Sequence, residues 1–214
     1  MIKTRFAPSP TGWLHIRGVR TALYSWLYAR KNNGKFYLRI DDTDTTRSTN
    51  EYKNSIIFAL NQLGLNYDDE IIYQSNRFDH YIDKIEQLLN HDMAYYDKVE
   101  VNEKTKETDL SVQFENRLNK NGHVIRFRNQ KENSITINDS VHGEIIFDPK
   151  VFFDVVILRS SGVPTYNLTS VVDDIDLGIT HLIRGDDHLS NLPVQVNLFE
   201  SFNAKVPSFS HLPM

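Results

Sequence analysis

The chain has 214 residues, 28 acidic against 24 lysine plus arginine, and 40% apolar side chains. That profile fits a soluble globular protein with one good core or a core domain carrying a modest insertion. The absence of cysteine excludes disulfides, thiolate nucleophiles and Cys-rich zinc sites. The net charge of −4 speaks against general nucleic-acid binding and leaves a local basic face open. Met1-Ile-Lys-Thr-Arg-Phe6 runs into proline rather than an apolar stretch, and no segment nears the length that spans a bilayer, so a cytoplasmic location is expected. The eight histidines are scattered, with no His-x-x-x-His pair.

Arg5 to Gly18, followed by the amphipathic run Val19 to Asn32, reads as a strand, a loop shaped by Pro8, Pro10 and Gly12, and a helix. Val19, Ala22, Leu23, Trp26, Leu27 and Ala29 recur at three-and-four spacing, and Asn32-Asn33-Gly34 supplies the stop. Phe36 to Ile40 returns as a strand ending in the carboxylate cluster Asp41, Asp42 and Asp44. Ser48 or Thr49 caps a helix carrying Tyr52, Ile56, Ile57, Leu60 and Leu63, terminated at Gly64. Ile71 to Tyr73 is a short strand, and Ser75 is placed to cap a helix bearing Phe78, Ile82, Ile85, Leu88 and Leu89.

From about residue 96 the character changes. Residues 98–121 are charged and poor in apolar side chains; His123 to Arg128, Ser134 to Ile137 and Gly143 to Phe147 then alternate like antiparallel strands. This divides the chain into residues 1–95, an insertion over 96–150, and 151–214. Val151 to Leu158 is a nearly continuous apolar run of the kind buried on both faces. A helix is expected to start near Thr165, a buried strand over Thr180 to Ile183, and a last helix over Leu189 to Phe202.

Strands alternating with helices predict a mostly parallel, doubly wound α/β sheet, whose ligands sit at the carboxyl ends of strands where the strand order switches. Arg5 to Gly12, Asp41 to Asp44 and Arg184 to His188 all follow predicted strands, so one crevice can collect them. A helix start reached through a loop with His15 and Gly18 suits a phosphate, because its amides lack helical partners and the dipole favours an anion. Taken alone, a histidine before a helix is more often a cap or a surface residue. Arg5 and Arg184 suit carboxylates, which guanidinium grips in pairs; ordinary pairing with Asp41 or Asp44 is the plainer alternative. The three aspartates read either as magnesium ligands or, for Asp42 and Asp44, as caps on the following turn through Thr43 and Thr45. Tyr95-Tyr96 with Arg126, Arg128 and Lys131 suits either RNA stacking and phosphate pairing or an ordinary two-faced sheet.

Phe6-Ala-Pro-Ser-Pro-Thr-Gly12, His15-Ile-x-Gly18, Arg20-Thr-Ala-Leu23, Leu38-Arg-Ile-Asp-Asp-Thr-Asp44, Pro164-Thr-Tyr-Asn167, Val171-Val-Asp-Asp174 and Ile183-Arg-Gly-Asp-Asp-His188 together resemble the glutamyl branch of the class I aminoacyl-tRNA synthetases, in the same order and across both ends of the chain. The resemblance implies a Rossmann-like catalytic domain that activates glutamate with ATP and passes it to the acceptor end of tRNA. It assigns catalytic roles to His15 and Gly18. ATP would be held by Thr11, His15, Gly18, Asp187 and His188, entering as substrate with Mg2+, and no resident metal or zinc is expected. Glutamate would be lined by Arg5, Ala7, Ser9, Asp41, Tyr166, Ser170 and Arg184, with the insertion at the tRNA acceptor end. A monomer with no membrane partner is expected.

This chain departs from the family pattern at two positions. Arg17 stands where the family has glycine, and Asp41 where it has glutamate. The family also carries a Lys-Met-Ser-Lys-Ser type loop beyond the point where this sequence stops, so low or no activity of the chain alone is expected; a lost transition-state donor costs about a hundredfold or more. The resemblance leaves two alternatives: a compact relative that glutamylates a modified tRNA base, and an impaired paralogue that binds glutamate or a nucleotide.

Overall fold

The computed structural model describes residues 1–44, 46–99, 114–129 and 133–213. The chain enters as β1 (Lys3–Phe6), rises through α1 (Ile16–Lys31) and returns as β2 (Lys35–Ile40), parallel to β1 with Arg5 opposite Tyr37. α1 sits on small residues: Ala22, Ser25 and Ala29 are buried, whereas Leu23 and Leu27 are 39% and 47% exposed. Small side chains let the helix backbone approach the strand, where the Thr4 hydroxyl donates to Ser25 O at 2.8 Å. The turn into β2 needs Gly34, since a Cβ there would stand 2.2 Å from Ile2 O.

α2 (Asn50–Gln62) begins at Thr49, whose hydroxyl accepts the Tyr52 N–H at 3.2 Å. It ends at Gly64, with φ of +68°. β3 (Ile72–Tyr73) adds to β2 in parallel. Ser75 does not cap the next helix: its N–H and hydroxyl both donate to Asp42, at 2.8 and 2.7 Å. A buried carboxylate has to be saturated, so Gln74–Arg77 winds into a short 3-10 turn around Asp42 and α3 (Phe78–Asn90) starts only after it.

β4 (Ala94–Lys98), β5 (His123–Phe127) and β8 (Val155–Leu158) form an antiparallel sheet in the order β4-β5-β8. Most of the charged stretch 98–121, together with Thr45 and Lys131, lies outside the described residues. β6 (Ile135–Asp139) and β7 (Gly143–Phe147) pair as a hairpin. The long doubly buried strand expected over 151–158 is not formed. Asp148 accepts the Lys150 N–H at 2.8 Å and Pro149 starts a 3-10 turn over Pro149–Val151. Val151 and Phe153 are therefore exposed, and only the last four residues of the run pair, antiparallel to β5.

α4 (Tyr166–Leu177) stops at Gly178 in the left-handed conformation. β9 (His181–Gly185), a 3-10 turn (Asp186–Asn191), α5 (Leu192–Ser201) and β10 (Ser208–Leu212) complete the chain. β10, absent from the sequence reading, pairs in parallel with β9 and sets His211 opposite Arg184; on its other side Phe209 pairs with Asp139 of β6. The order of this second sheet is β7-β6-β10-β9. Thr180 N–H donates to Lys3 O at 3.0 Å and Lys3 N–H to Thr180 Oγ1 at 2.8 Å, tying the start of β9 beside β1. From that tie the chain winds one way through β1, β2 and β3 and the other through β9 and β10. This is a Rossmann-like α/β arrangement with its switch point between β1 and β9. One core packs α3, α4 and α5 against β5 and β8, and a second fills the space between α1, α2 and β2.

Candidate active site

β1 ends at Phe6, and the loop that follows is fixed to the end of β2 by Asp41 N–H to Pro8 O at 3.0 Å. The loop climbs to His15, the N-cap of α1, whose side chain makes no capping bond. The first helical hydrogen bond is Val19 N–H to His15 O, 3.1 Å, so the amides of Ile16 and Gly18 stand ahead of it at the positive end of the dipole. A Cβ on Gly18 would lie 2.7 Å from Leu14 Cδ1, which keeps Leu14 folded under the helix start.

A cavity of about 750 Å³ opens at this point, between β1 and β9. Arg5, Ala7, Ser9, His15 and Gly18 line it from the first half of the chain, and Tyr166, Arg184, Asp187 and His188 from the second. Nine of the residues expected at the site thus share one space, and Arg17 joins them. Thr11 and Asp41 line a neighbouring cavity of about 730 Å³ that shares Ser9 and Tyr166 with the first. Ser170 lines neither; it is buried, and its hydroxyl accepts from Arg39 Nη2 at 3.3 Å.

The two arginines expected to act alike sit in different electrostatic settings. Arg5 is paired in a fork with Asp174, Nε to Oδ1 at 3.1 Å and Nη2 to Oδ2 at 3.2 Å. Its partner is thus neither Asp41 nor Asp44. Arg184 is equally buried, and its hydrogen-bond partners among the described residues are His211, Tyr166 and His188, none of them through a carboxylate. Burial presses its pKa below the usual arginine range, with Arg5 pushing the same way and Tyr166 and Asp174 opposing. Burial, with Arg184 next, takes His188 down to about 4, leaving that imidazole neutral at pH 7.

Arg39 was not singled out from the sequence. It is fully buried and holds three groups together: Asp41 in a fork (2.6 and 3.0 Å), Asp174 at 2.9 Å and the Ser170 carbonyl at 3.3 Å. An arginine inside the apolar run Phe36 to Ile40 was the signal available. Asp173 is saturated by Gln74, Arg77 and Tyr81 at 2.8 to 2.9 Å. Asp42 holds Ser75 and Lys53, and Asp44 receives the Thr46 hydroxyl and Arg47. These acids are occupied as structural acceptors. Among the described residues no three His, Asp or Glu side chains cluster in a way that could hold a metal ion.

On the antiparallel sheet, Arg126 pairs with Asp97 at 2.6 Å and the Arg128 guanidinium lies 4.5 Å from the Tyr95 ring centre. Of the three cations named for RNA contact, Arg126 and Arg128 thus already have partners within the sheet, and Lys131 lies outside the described residues. No helix among the described residues is long and apolar enough to cross a membrane.

Comparison with known proteins agrees with this geometry. The chain is 45% identical to the glutamate–tRNA ligase of Francisella tularensis subsp. novicida, and 45% identical to glutamate–tRNA ligase 1 of Alkalilimnicola ehrlichii. All of the chain is covered, against 49% and 48% of the relatives. It therefore spans about half the length of the curated relatives it matches. Among solved structures, a glutamate tRNA ligase from Elizabethkingia meningosepticum, in complex with its amino acid, superposes with a TM-score of 0.86 at 32% identity, over the whole chain and 49% of the other. An arginyl-tRNA synthetase from Campylobacter jejuni shares the fold alone, at TM-score 0.54 and 14% identity. The family model for the catalytic domain of class I tRNA synthetases (E and Q) matches residues 1–214, and with the two-halved cavity at the β1–β9 switch point this places the chain in that family.

Proposed function

We propose that this chain is the catalytic portion of a glutamate–tRNA ligase, binding L-glutamate and ATP in the cavity between β1 and β9. The observation that carries the reading is Arg184: a buried guanidinium without a carboxylate partner is costly, and one that lines a cavity is completed by an anionic ligand. In this reading Arg184 grips a glutamate carboxylate, and Arg5, Ala7, Ser9 and Tyr166 line the pocket around it. Asp41 faces the ammonium, and Ser170 acts at one remove by holding Arg39.

ATP enters as its magnesium complex, with phosphate oxygens supplying metal ligands. Its phosphates lie at the start of α1, where His15 and the Gly18 amide add directed donors to the helix dipole, and Thr11, Asp187 and His188 border the nucleotide. A carboxylate oxygen of glutamate attacks the α-phosphorus in line, the bond to the bridging oxygen breaks, and pyrophosphate leaves. No general base is needed, so the protein's task is to position the reactants and stabilise charge. The adenylate then passes glutamate to the terminal adenosine of tRNA. Residues 96–150 are assigned to the acceptor end, inserted between catalytic halves 1–95 and 151–214; a monomer acting in the cytoplasm belongs to the same reading. Relatives matched over the whole chain support it above the compact base-modifying branch.

The test is calorimetry of the chain with L-glutamate, L-glutamine, L-aspartate and ATP, followed by pyrophosphate exchange with and without tRNA. Selective binding of glutamate, and ATP binding, are expected. Failure to bind glutamate would sink the reading, and glutamate binding without ATP binding would turn it into that of a sensing module.

A further inference from the structure

Three side chains from three distant segments line up behind the cavity. Asp139, at the end of β6, lies 2.7 Å through Oδ2 from Nδ1 of His211 on β10; the other ring nitrogen of His211, Nε2, lies 2.9 Å from Nε of Arg184 on β9. The ladder places them in this order, since β10 lies between β6 and β9 and sets His211 opposite Arg184. Asp139 and His211 have no side-chain exposure.

The donor and acceptor roles follow from chemistry alone. A guanidinium only donates, so Nε2 of His211 must offer its lone pair to Arg184. An ionised carboxylate only accepts, so Nδ1 must carry the proton that goes to Asp139. His211 is thereby fixed as the neutral Nδ1–H tautomer, and a doubly protonated ring would set two N–H groups against each other at Nε2. The carboxylate is held ionised by its other donors, the Val141 N–H at 2.9 Å, the His142 N–H at 3.1 Å and the His211 N–H at 3.1 Å. Burial alone would raise its pKa, but these bonds and the imidazole hold it below the usual carboxylate range. Burial also lowers the His211 pKa. Arg184 is then held at Nε by His211, while Nη1 reaches the Tyr166 hydroxyl at 3.4 Å and Nη2 the His188 carbonyl at 3.5 Å. Those two longer contacts are the ones an incoming carboxylate can replace.

We propose that Asp139 and His211 are positioning residues for the amino-acid site, a carboxylate–imidazole pair that fixes the tautomer facing Arg184 and aims its guanidinium at the substrate carboxylate. The inference rests on the glutamate reading of the cavity and adds to it two residues outside the cavity lining, one of them in the segment assigned to the tRNA end.

Two measurements on the 214-residue chain test it. Nitrogen-15 NMR of histidine-labelled protein reads the tautomer: His211 is expected protonated at Nδ1 and bare at Nε2, and the opposite pattern overturns the relay whether or not glutamate binds. Calorimetry with L-glutamate and with ATP then reads its consequence. His211→Phe, which removes the acceptor, is expected to weaken glutamate roughly tenfold or more and leave ATP within about twofold. His211→Gln, whose amide oxygen can accept from Arg184, is expected to recover most of the loss. Asp139→Asn is nearly isosteric yet lets Nδ1 become the acceptor, which turns Nε2–H against Arg184; it should weaken glutamate like His211→Phe and gives the answer if that variant does not fold. Folded Phe and Asn variants with unchanged glutamate affinity, or equal damage from Phe and Gln, would overturn the inference. A wild-type chain that binds no glutamate strikes the functional reading instead, and the tautomer measurement then decides the relay by itself.

Discussion

Arg5 and Asp174 meet in a buried two-point pair, with Nε–Oδ1 at 3.1 Å and Nη2–Oδ2 at 3.2 Å, although they lie 169 positions apart. The pair crosses the switch point of the fold, from β1 to α4. Because Arg39 also donates to Asp174 at 2.9 Å, two guanidinium groups from neighbouring strands share this carboxylate, and Asp41 supplies Arg39 with a second. Arg5 thus enters the cavity already compensated, and Arg184 carries the charge that remains for a ligand.

Removing that carboxylate leaves two buried cations short of a partner. Breaking a buried pair costs about 3–5 kcal/mol, and in a chain of this size each kcal/mol moves the midpoint by about 2–4 °C. Asp174→Asn is therefore expected to lower the melting temperature by roughly 10 °C, read by circular dichroism. A change under about 2 °C would show that the pair holds nothing together.

Arg184 predicts the reverse for stability. It is buried without a carboxylate of its own, so Arg184→Met exchanges an uncompensated charge for an apolar side chain of similar reach. The melting temperature is expected to stay level or rise by a few degrees while glutamate binding disappears, the trade expected where a site is kept strained for function. Arg184→Lys retains the charge but loses the planar fork and is expected to weaken glutamate by roughly tenfold or more. Calorimetry and a thermal melt on the same samples separate the two effects.

Much of this arrangement was legible in the sequence because local signals and tertiary packing agree. The strand-loop-helix from Arg5, the Thr49 cap, the Gly64 stop and the strand expected over Thr180 to Ile183, found as His181–Gly185, are all fixed by periodicity and turn chemistry. β10 escaped because Ser208, Ser210 and His211 interrupt its apolar pattern; its burial is imposed by strands on either side. Arg39, Asp139 and His211 escaped for a related reason. A buried polar side chain is stable only through partners far away in the chain, and those partners have no spacing rule. Arg5 and Arg184 do line one cavity as expected, but the charge balance was incomplete, since only Asp41 and Asp44 were considered as partners and Asp174 holds Arg5.

Gly34 offers a steric test of how α1 is seated. An added Cβ meets the backbone carbonyl of Ile2 at 2.2 Å, whereas at Gly18 it meets the end of the Leu14 side chain at 2.7 Å. Backbone cannot step aside and a leucine tip can. Gly34→Ala is expected to destabilise by about 1–3 kcal/mol, as overpacking does, and Gly18→Ala by less, while Gly18→Ala alone disturbs ATP binding at the start of α1. Equal losses of stability in urea would contradict this seating.

Asp41 carries the pH dependence. Burial raises its pKa to about 6, against the pull of Arg39. The folded state therefore holds a proton there that the unfolded chain has released above about pH 4. By linkage, this group's contribution to stability is present below about pH 4, is lost as pH rises towards 6, and is constant above that. In the proposed reading, recognition of the amino acid's ammonium by Asp41 runs the other way, because only the ionised carboxylate attracts it. Glutamate affinity is expected to strengthen as pH rises from 5 through 6 and to level off by about 7, where Asp41 is ionised. Asp41→Asn should bind weakly at every pH and lose that slope, while its stability should fall less between pH 4 and 6 than that of the wild type. Titrations at pH 5, 6, 7 and 8 decide the point: a wild-type slope that persists in Asp41→Asn would assign the titration to another group.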